Sequence, residues 1–559
     1  MDDREKRRNE LKNIVAKELG QRLEGKKFNR EKLADGIFSL FGIHLPELYS
    51  PGLYPCGKPV AFIAQTLADD DTVSPTLKPQ LQRAYSLINR PVLQEEMISP
   101  TQLFVIHYTR NGIDAAHDSA NIGPDPIIAT DDPLNRILES TDDSIDVPSY
   151  IQRIAFWLDY AITKYRAATF PELTDRYYQI QVYVWNVNDN GSPIRGRAWG
   201  DYIDLHNEMG LDPTTPNEAL LNACVQHTCC HELFHLIQDM LVFDSNGTQV
   251  ITFTMGGFYP WMEGMAELAP DFVSGWSNAW MEHWQDLVPV TRGFVPLPDA
   301  YTRACVLWRY ACDRFSNMSK PAAGSLSASL YGSDIFKELL LLGQPGATID
   351  WITLFAWLRS HQPATQGWGF PTPADHRRPA LGMYVPSKAL VPKGILLRGI
   401  GTPAGKDVYS DWLVANIVQD YRNMYDSRAF GYRDHDEAPG LPHTAAIVID
   451  SGPSWPTAID VQPWTARYYS FDMGTKGGPV HLSITSEPLP GKTVKNPNLQ
   501  VVVTDGYNVH KIIRDTAGTL DTAIEPTDLT FPYRNEIIRD VFVIFAALTN
   551  GARYNISCT

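Results

Sequence analysis

What this chain has little of narrows its function before any motif is read. Only seven of its 559 residues are cysteine: Cys56, Cys224, Cys229, Cys230, Cys305, Cys312 and Cys558. So sparse and odd a set does not make a disulfide scaffold. Basic residues are outnumbered, 48 Lys and Arg against 64 Asp and Glu, for a net charge of −16. Nucleic-acid proteins carry the opposite balance, so no nucleic-acid partner is expected. No apolar run reaches the roughly 20 residues of a membrane-spanning helix, so no transmembrane segment is expected. The start, Met1-Asp2-Asp3-Arg4-Glu5-Lys6-Arg7-Arg8, is densely charged, and no apolar stretch follows it. A secretory signal peptide needs that stretch; its lack leaves cytoplasmic residence and non-classical export as the two expectations. Apolar residues make up 44% and charged residues 20%, which argues against bulk disorder. A chain of this length exceeds a single core and is expected to hold about three structural units.

What is present centres on Cys229-Cys230-His231-Glu232-Leu233-Phe234-His235-Leu236-Ile237-Gln238. It contains a complete H-E-x-x-H. Residues four apart share a helix face, so His231 and His235 can point at one ion. Glu232, beside the first histidine, is placed to act on water bound there. Two histidines and a carboxylate base are the zinc-hydrolase arrangement. The bland alternative is a buried amphipathic helix with two histidines on its polar edge. Leu233, Phe234, Leu236, Ile237 and Met240 mark a core helix, however, and ionisable groups on a core helix are costly unless something binds them. Cys229 and Cys230 abut the motif; small apolar packing is the simpler reading and thiolate ligation the other. His227, one turn before His231, lies about 6 Å further along the axis, too far to share a compact tetrahedral site easily. Asp239, four residues after His235, is expected first at the solvent, with a part in orienting the site as the other reading.

A third ligand is required, and Trp261-Met262-Glu263-Gly264-Met265-Ala266-Glu267-Leu268-Ala269 follows downstream. Here the chain resembles the gluzincin metallopeptidases, which pair H-E-x-x-H with a glutamate in a W-x-x-E-G-x-A-E-like stretch. Trp261, Glu263, Gly264, Ala266 and Glu267 carry the match, with one residue fewer between Trp and Glu. Glu263 lies 28 positions after His235, longer than the usual gluzincin gap. An extra loop is therefore expected, and Phe243-Asp244-Ser245-Asn246-Gly247-Thr248 has the composition for one. The chain is still more similar to bacterial proteins regarded as metalloproteases, with H-E-F-F-H-x-x-Q, a following E-G-x-A and a C-terminal β-sandwich. Those proteins are usually secreted, so the missing signal peptide is a departure.

The resemblance implies a Zn2+ cofactor held by His231, His235 and Glu263, and a protein or peptide substrate. Glu232 would then activate a zinc-bound water. Glu267, one turn after Glu263, would orient a ligand histidine, or else is a surface carboxylate. Tyr301 begins a stretch loosely like the family's Y-x-x-x-L-F-W-R-Y; it is a candidate oxyanion donor or a plain cleft-wall tyrosine.

Read in order, the pattern is α+β. Residues 1–55 form a helical leader, with an apolar stripe of Leu11, Ile14, Val15 and Leu19. Residues 56–241 match a zincin upper subdomain. Its start, rich in Pro and Asp, has little helical period. A strand at Thr101–Tyr108, in which His107 is structural, precedes a helix at Pro148–Ala167. Strands at Tyr178–Trp185 and Trp199–Leu205 lead to the metal helix, about Asn217–Leu241. Trp199-Gly200-Asp201-Tyr202-Ile203 is the candidate edge strand for binding substrate backbone. Residues 242–400 carry the glutamate and a helical lower subdomain, with helices at Asp299–Phe315, Ser333–Leu342 and Ile349–Ser360. Gln362 to Lys406 reads as a Pro/Gly-rich linker. Residues 401–559 alternate in short strands, expected at 444–449, 466–471, 479–486, 499–504, 541–547 and 554–558, as in a β-sandwich. Its aromatics and loops suit substrate or surface binding, or a purely structural part.

Three functions fit: a zinc endopeptidase, an exopeptidase or amidase on the same site, and a non-catalytic binding protein braced by structural zinc. A structural site would present a fourth protein ligand.

Overall fold

A computed structural model of the chain describes residues 3–23, 26–41, 58–83, 91–117, 147–173, 177–189, 192–199, 202–209, 218–242, 252–253, 258–274, 304–316, 332–341, 348–349, 351–360, 458–472, 480–504, 509–515, 517–524, 540–548 and 550–558. Both helices and sheets are present, in an α+β arrangement. The chain divides into two units: residues 1–279 with 325–348, and residues 280–324 with 349–559. Among the described residues no helix is long and apolar enough to cross a membrane.

The first unit opens with four helices, α1 (Asp3–Leu23), α2 (Arg30–Phe41), α3 (Lys58–Asp69) and α4 (Lys78–Arg83). Val15, Ala16 and Leu19 bury the inner face of α1, whereas Ile14, expected in that stripe, is exposed. Asn13 staples α1 to the turn after α3: its amide donates to the Thr72 carbonyl at 3.0 Å and accepts from the Ser74 N–H at 2.7 Å. Helices α3 and α4 correct the expectation of little helix after residue 50. Pro59 and Pro79 each fall in a first turn, where a missing N–H costs nothing, so they do not break the helix.

A five-stranded sheet follows: β1 (Glu95–Ile98), β2 (Phe104–Tyr108), β3 (Ile180–Trp185), β6 (Gly196–Trp199) and β7 (Tyr202–His206), in the order β1-β2-β3-β7-β6. The two-residue strands β4 (Asn188–Asp189) and β5 (Ser192–Pro193) pair with each other before β6. Strands β2, β3 and β7 are parallel; β1 and β6 run antiparallel at the edges. Ile180, Val182 and Val184 are buried and the residues between them half-buried, as period-two side chains require. The sequence from Trp199 to Leu205, expected as one strand, spans the end of β6 and most of β7, which pair antiparallel with Trp199 opposite Tyr202. Tyr202 and Ile203 lie on interior strand β7, Gly200 and Asp201 lie outside the described residues, and the edge position belongs to β6.

Helix α5 (Ser149–Ala167) is buried along most of its length, and α6 (Glu218–Val242) packs on it. The Tyr165 hydroxyl donates to the Cys230 carbonyl of α6 at 3.0 Å, and Tyr150 to the His206 carbonyl of β7 at 2.6 Å. The short strand β8 (Thr252–Phe253) precedes α7 (Phe258–Ser274). Phe234 of α6 and Phe272 of α7 both stack on Phe336, at 5.2 and 4.6 Å between ring centroids.

The second unit holds α8 (Cys305–Phe315). Helix α9 (Ser333–Leu341), which carries Phe336, belongs to the first unit instead. After the two-residue β9 (Thr348–Ile349), α10 (Trp351–Ser360) returns to the second unit. The helices expected as one lower subdomain are thus divided between units. Eight strands follow: β10 (Ala458–Val461), β11 (Thr465–Asp472), β12 (Val480–Glu487), β13 (Pro497–Thr504), β14 (Val509–Asp515), β15 (Thr519–Ile524), β16 (Asp540–Ala547) and β17 (Ala552–Cys558). They form two antiparallel four-stranded sheets, β10-β17-β12-β15 and β11-β16-β13-β14. One apolar cluster draws on both, including Leu482 and Tyr554 from one sheet and Val501 and Phe545 from the other. The expected strand at Thr444–Ile449 and the expected linker lie outside the described residues.

Candidate metal centre

Helix α6 carries five polar side chains on or near one face: His227, His231, Glu232, His235 and Gln238. Helix α7 packs on α6 and adds Glu263 and Glu267, one turn apart. The spacing of four on each helix brings these groups together where the two cross.

His231 Nε2 and His235 Nε2 lie 3.1 Å apart. Glu263 Oε2 is 3.6 Å from each of them, and His235 and Glu263 are fully buried. Three donor atoms of the N, N, O type thus converge on one point. The separation of 3.6 Å is an ion-pair distance, longer than a hydrogen bond. Both Glu263 oxygens are buried and neither makes a hydrogen bond. A buried carboxylate left so is costly unless a cation completes it. Two imidazoles and a carboxylate suit zinc, so the residues present fit that ion.

The electrostatics point the same way. Burial alone would raise the Glu263 pKa, but the imidazoles of His235 and His231 outweigh it and hold the carboxyl at about 2. Burial alone would lower the His231 pKa, yet Glu263, Glu267 and Glu232 carry it well above the usual imidazole value. Without a metal, a proton stands among these carboxylates where a cation would.

Surrounding groups fix the ring directions. The Gln238 side-chain carbonyl faces His235 Nδ1 at 2.8 Å, and its amide donates to the Met262 carbonyl on α7 at 2.9 Å. With Nδ1 donating, the Nε2 lone pair of His235 faces the convergence point. Glu267 Oε2 is 3.1 Å from His231 Nδ1, an ion-pair contact on the other ring nitrogen whose angle falls outside hydrogen-bond geometry. Its Oε1 is 3.1 Å from His227 Nε2. The three-residue offset of Gln238 from His235 is the signal in the sequence for their contact. His227, read only as a non-ligand, meets Glu267.

Glu232 is buried and lies against the edge strand. A β-carbon built on Gly196 of β6 would stand 2.8 Å from Glu232 Cγ. Arg197, next on β6, donates to Asp204 of β7 at 2.7 Å, and Trp185 of β3 donates to the other Asp204 oxygen at 3.1 Å. The buried Asp204 carboxylate therefore ties the edge strand inward. No signal in the sequence joined Gly196 to Glu232, because the pairing is set by the sheet.

Cys229 and Cys230 are buried, and burial pushes both thiols up, away from the thiolate a metal needs. Among the described residues neither joins a converging ligand group. Asp239, expected at the solvent, is buried. Tyr301 and the loop at 243–248 lie outside the described residues. In comparisons with known proteins, no family model, no curated protein and no solved structure matches the chain.

Proposed function

We propose that this chain is a zinc-dependent metallopeptidase of gluzincin type, with a zincin-like body and a C-terminal β-sandwich. The observation that carries the reading is the convergence of His231, His235 and Glu263, with Glu232 beside them beneath a sheet edge. Zinc would be held by those three residues, and when bound it supplies Lewis acidity toward water and a peptide carbonyl.

The protein's own groups do the rest. Glu232 takes a proton from the attacking water and passes it to the departing amine nitrogen. Glu267 and Gln238 hold the two imidazoles in direction. Among the described residues strand β6 is hydrogen-bonded to β7 alone, an edge position of the kind that receives an extended peptide backbone. Arg197 and Asp204 keep that strand in register.

Glu232→Gln tests the reading, because it preserves shape and removes the base. The purified variant should hold about one zinc per chain, as the wild type does. Its hydrolysis of an unstructured protein, measured against a chelator control, should fall by roughly two to four orders of magnitude. Full activity with zinc retained would remove Glu232 from the mechanism. A zinc-loaded wild type with no hydrolysis and a fourth protein ligand would make the site structural.

A further inference from the structure

We infer that His227 is a positioning residue of the metal centre, acting on it through Glu267; this rests on the metal-site reading above. His227 Nε2 lies 3.1 Å from Glu267 Oε1, and Glu267 Oε2 lies 3.1 Å from His231 Nδ1. One carboxylate thus spans two imidazoles one helical turn apart. The terminal torsion of a glutamate is broad and roughly two-fold, so a single contact leaves the carboxylate plane loosely set. A second contact on the opposite oxygen fixes that plane. Glu267 is only 9% exposed, so the fixed carboxylate is also shielded from competing water.

The helices make this a two-level arrangement. His231, His235 and Glu263 form the inner level. His227 and Glu267 form the outer one, reached by stepping one turn back along α6 and one turn on along α7. His231 belongs to both: Nε2 faces inward and Nδ1 faces Glu267. His227, His231 and Glu267 are close enough to hold a second ion themselves. That use would force one imidazole to bridge two cations and lose both ring protons. A single contact from His227 Nε2 to Glu267 Oε1 needs no such change. It keeps Glu267 aimed at His231 Nδ1, and so keeps His231 Nε2 aimed at the metal.

The test is metal affinity, measured by competition between Zn2+ and a chromophoric chelator on the full chain, together with the visible spectrum of the Co2+-loaded protein. His227→Ala should weaken Zn2+ binding on the order of tenfold, the lower range for losing an outer contact, and should alter the Co2+ bands. His227→Gln, whose amide can donate to the same oxygen, should recover most of the loss. In a Glu267→Gln background, adding His227→Ala should change affinity by less than about twofold, since the path is already cut. Unchanged affinity and spectrum in His227→Ala, or full additivity with Glu267→Gln, overturns the inference. Two ions per wild-type chain overturns it in favour of a second site. If His227→Ala does not fold, the His227→Gln and Glu267→Gln measurements decide: a Co2+ spectrum perturbed by Glu267→Gln and kept by His227→Gln supports it, and the reverse sinks it. A wild type that binds neither metal is a different failure, that of the metal-site reading itself.

Discussion

Gly196 on edge strand β6 sits directly against Glu232 on α6. A β-carbon at Gly196 would meet Glu232 Cγ at 2.8 Å, Thr228 Cγ2 at 2.9 Å and Glu232 Oε1 at 3.0 Å. The helix and the strand are therefore as close as they are because residue 196 has no side chain. Glu232 would have to swing away to admit a methyl group. Gly196→Ala should accordingly lower kcat by roughly one to two orders of magnitude, as misplacing a catalytic group by about an ångström does. Metal affinity should stay near wild type, because the three atoms nearest that methyl belong to Glu232 and Thr228, neither a proposed ligand. Parallel measurement of kcat and zinc content checks both; wild-type kcat would mean that Glu232 is not held by the strand.

The parts legible in the sequence were those set by local spacing. His231 and His235 were readable because a helix fixes residues four apart on one face, and Glu267 was readable beside Glu263 for the same reason. Strand β3 was readable because Ile180, Val182 and Val184 alternate with Gln181, Tyr183 and Trp185 in a β-branched and aromatic run. The parts that were not legible depend on pairing across the chain. The antiparallel β6–β7 pair read as one strand from Trp199, although Gly200-Asp201 is a turn dipeptide that could have divided it. Strands β14 and β15 are half polar and lack the apolar run that marked β13 and β16. The Pro-rich start of the upper subdomain read as poor in helix, although a first-turn proline such as Pro79 permits the helix that follows. The contact from His227 to Glu267 needs the crossing of α6 and α7, which no spacing within one helix reveals.

Glu263 and Glu267 look alike in the sequence but occupy opposite sides of His231. Glu263 faces Nε2 and Glu267 faces Nδ1. Glu267 therefore has no route to replace Glu263 without the imidazole turning over. Glu263→Ala should reduce zinc affinity by at least about a hundredfold, more than the roughly tenfold to hundredfold of an outer partner. Glu267→Gln should fall within that smaller range. Equilibrium competition against a chelator of known affinity ranks the two. A Glu267 variant weaker in zinc than the Glu263 variant would reverse the assignment of ligand and orienting carboxylate.

The two shifted groups at the centre fix how metal binding must respond to pH. His231 is raised well above 6.5 in the metal-free fold by Glu263 and Glu267, against burial. A raised histidine contributes stability that is complete below its unfolded value and is lost as pH rises through the folded one. Glu263, held at about 2, contributes stability that is present above its unfolded value near 4.5 and is lost only as pH falls through about 2. Near neutral pH the metal-free centre is therefore a protonated imidazole paired with an ionised carboxylate. A zinc ion must displace that proton, so binding becomes tighter as pH rises. Raising the pH also withdraws the His231 contribution from the metal-free protein, while the loaded protein no longer depends on that proton. The gap in Tm between zinc-loaded and chelator-treated protein should thus widen from pH 6 to pH 8. Calorimetric titrations in buffers of different ionisation enthalpy should record about one proton released per zinc at pH 7. A gap that narrows with pH, or zinc uptake with no proton release, would mean that His231 is already neutral and that the carboxylates do not govern it.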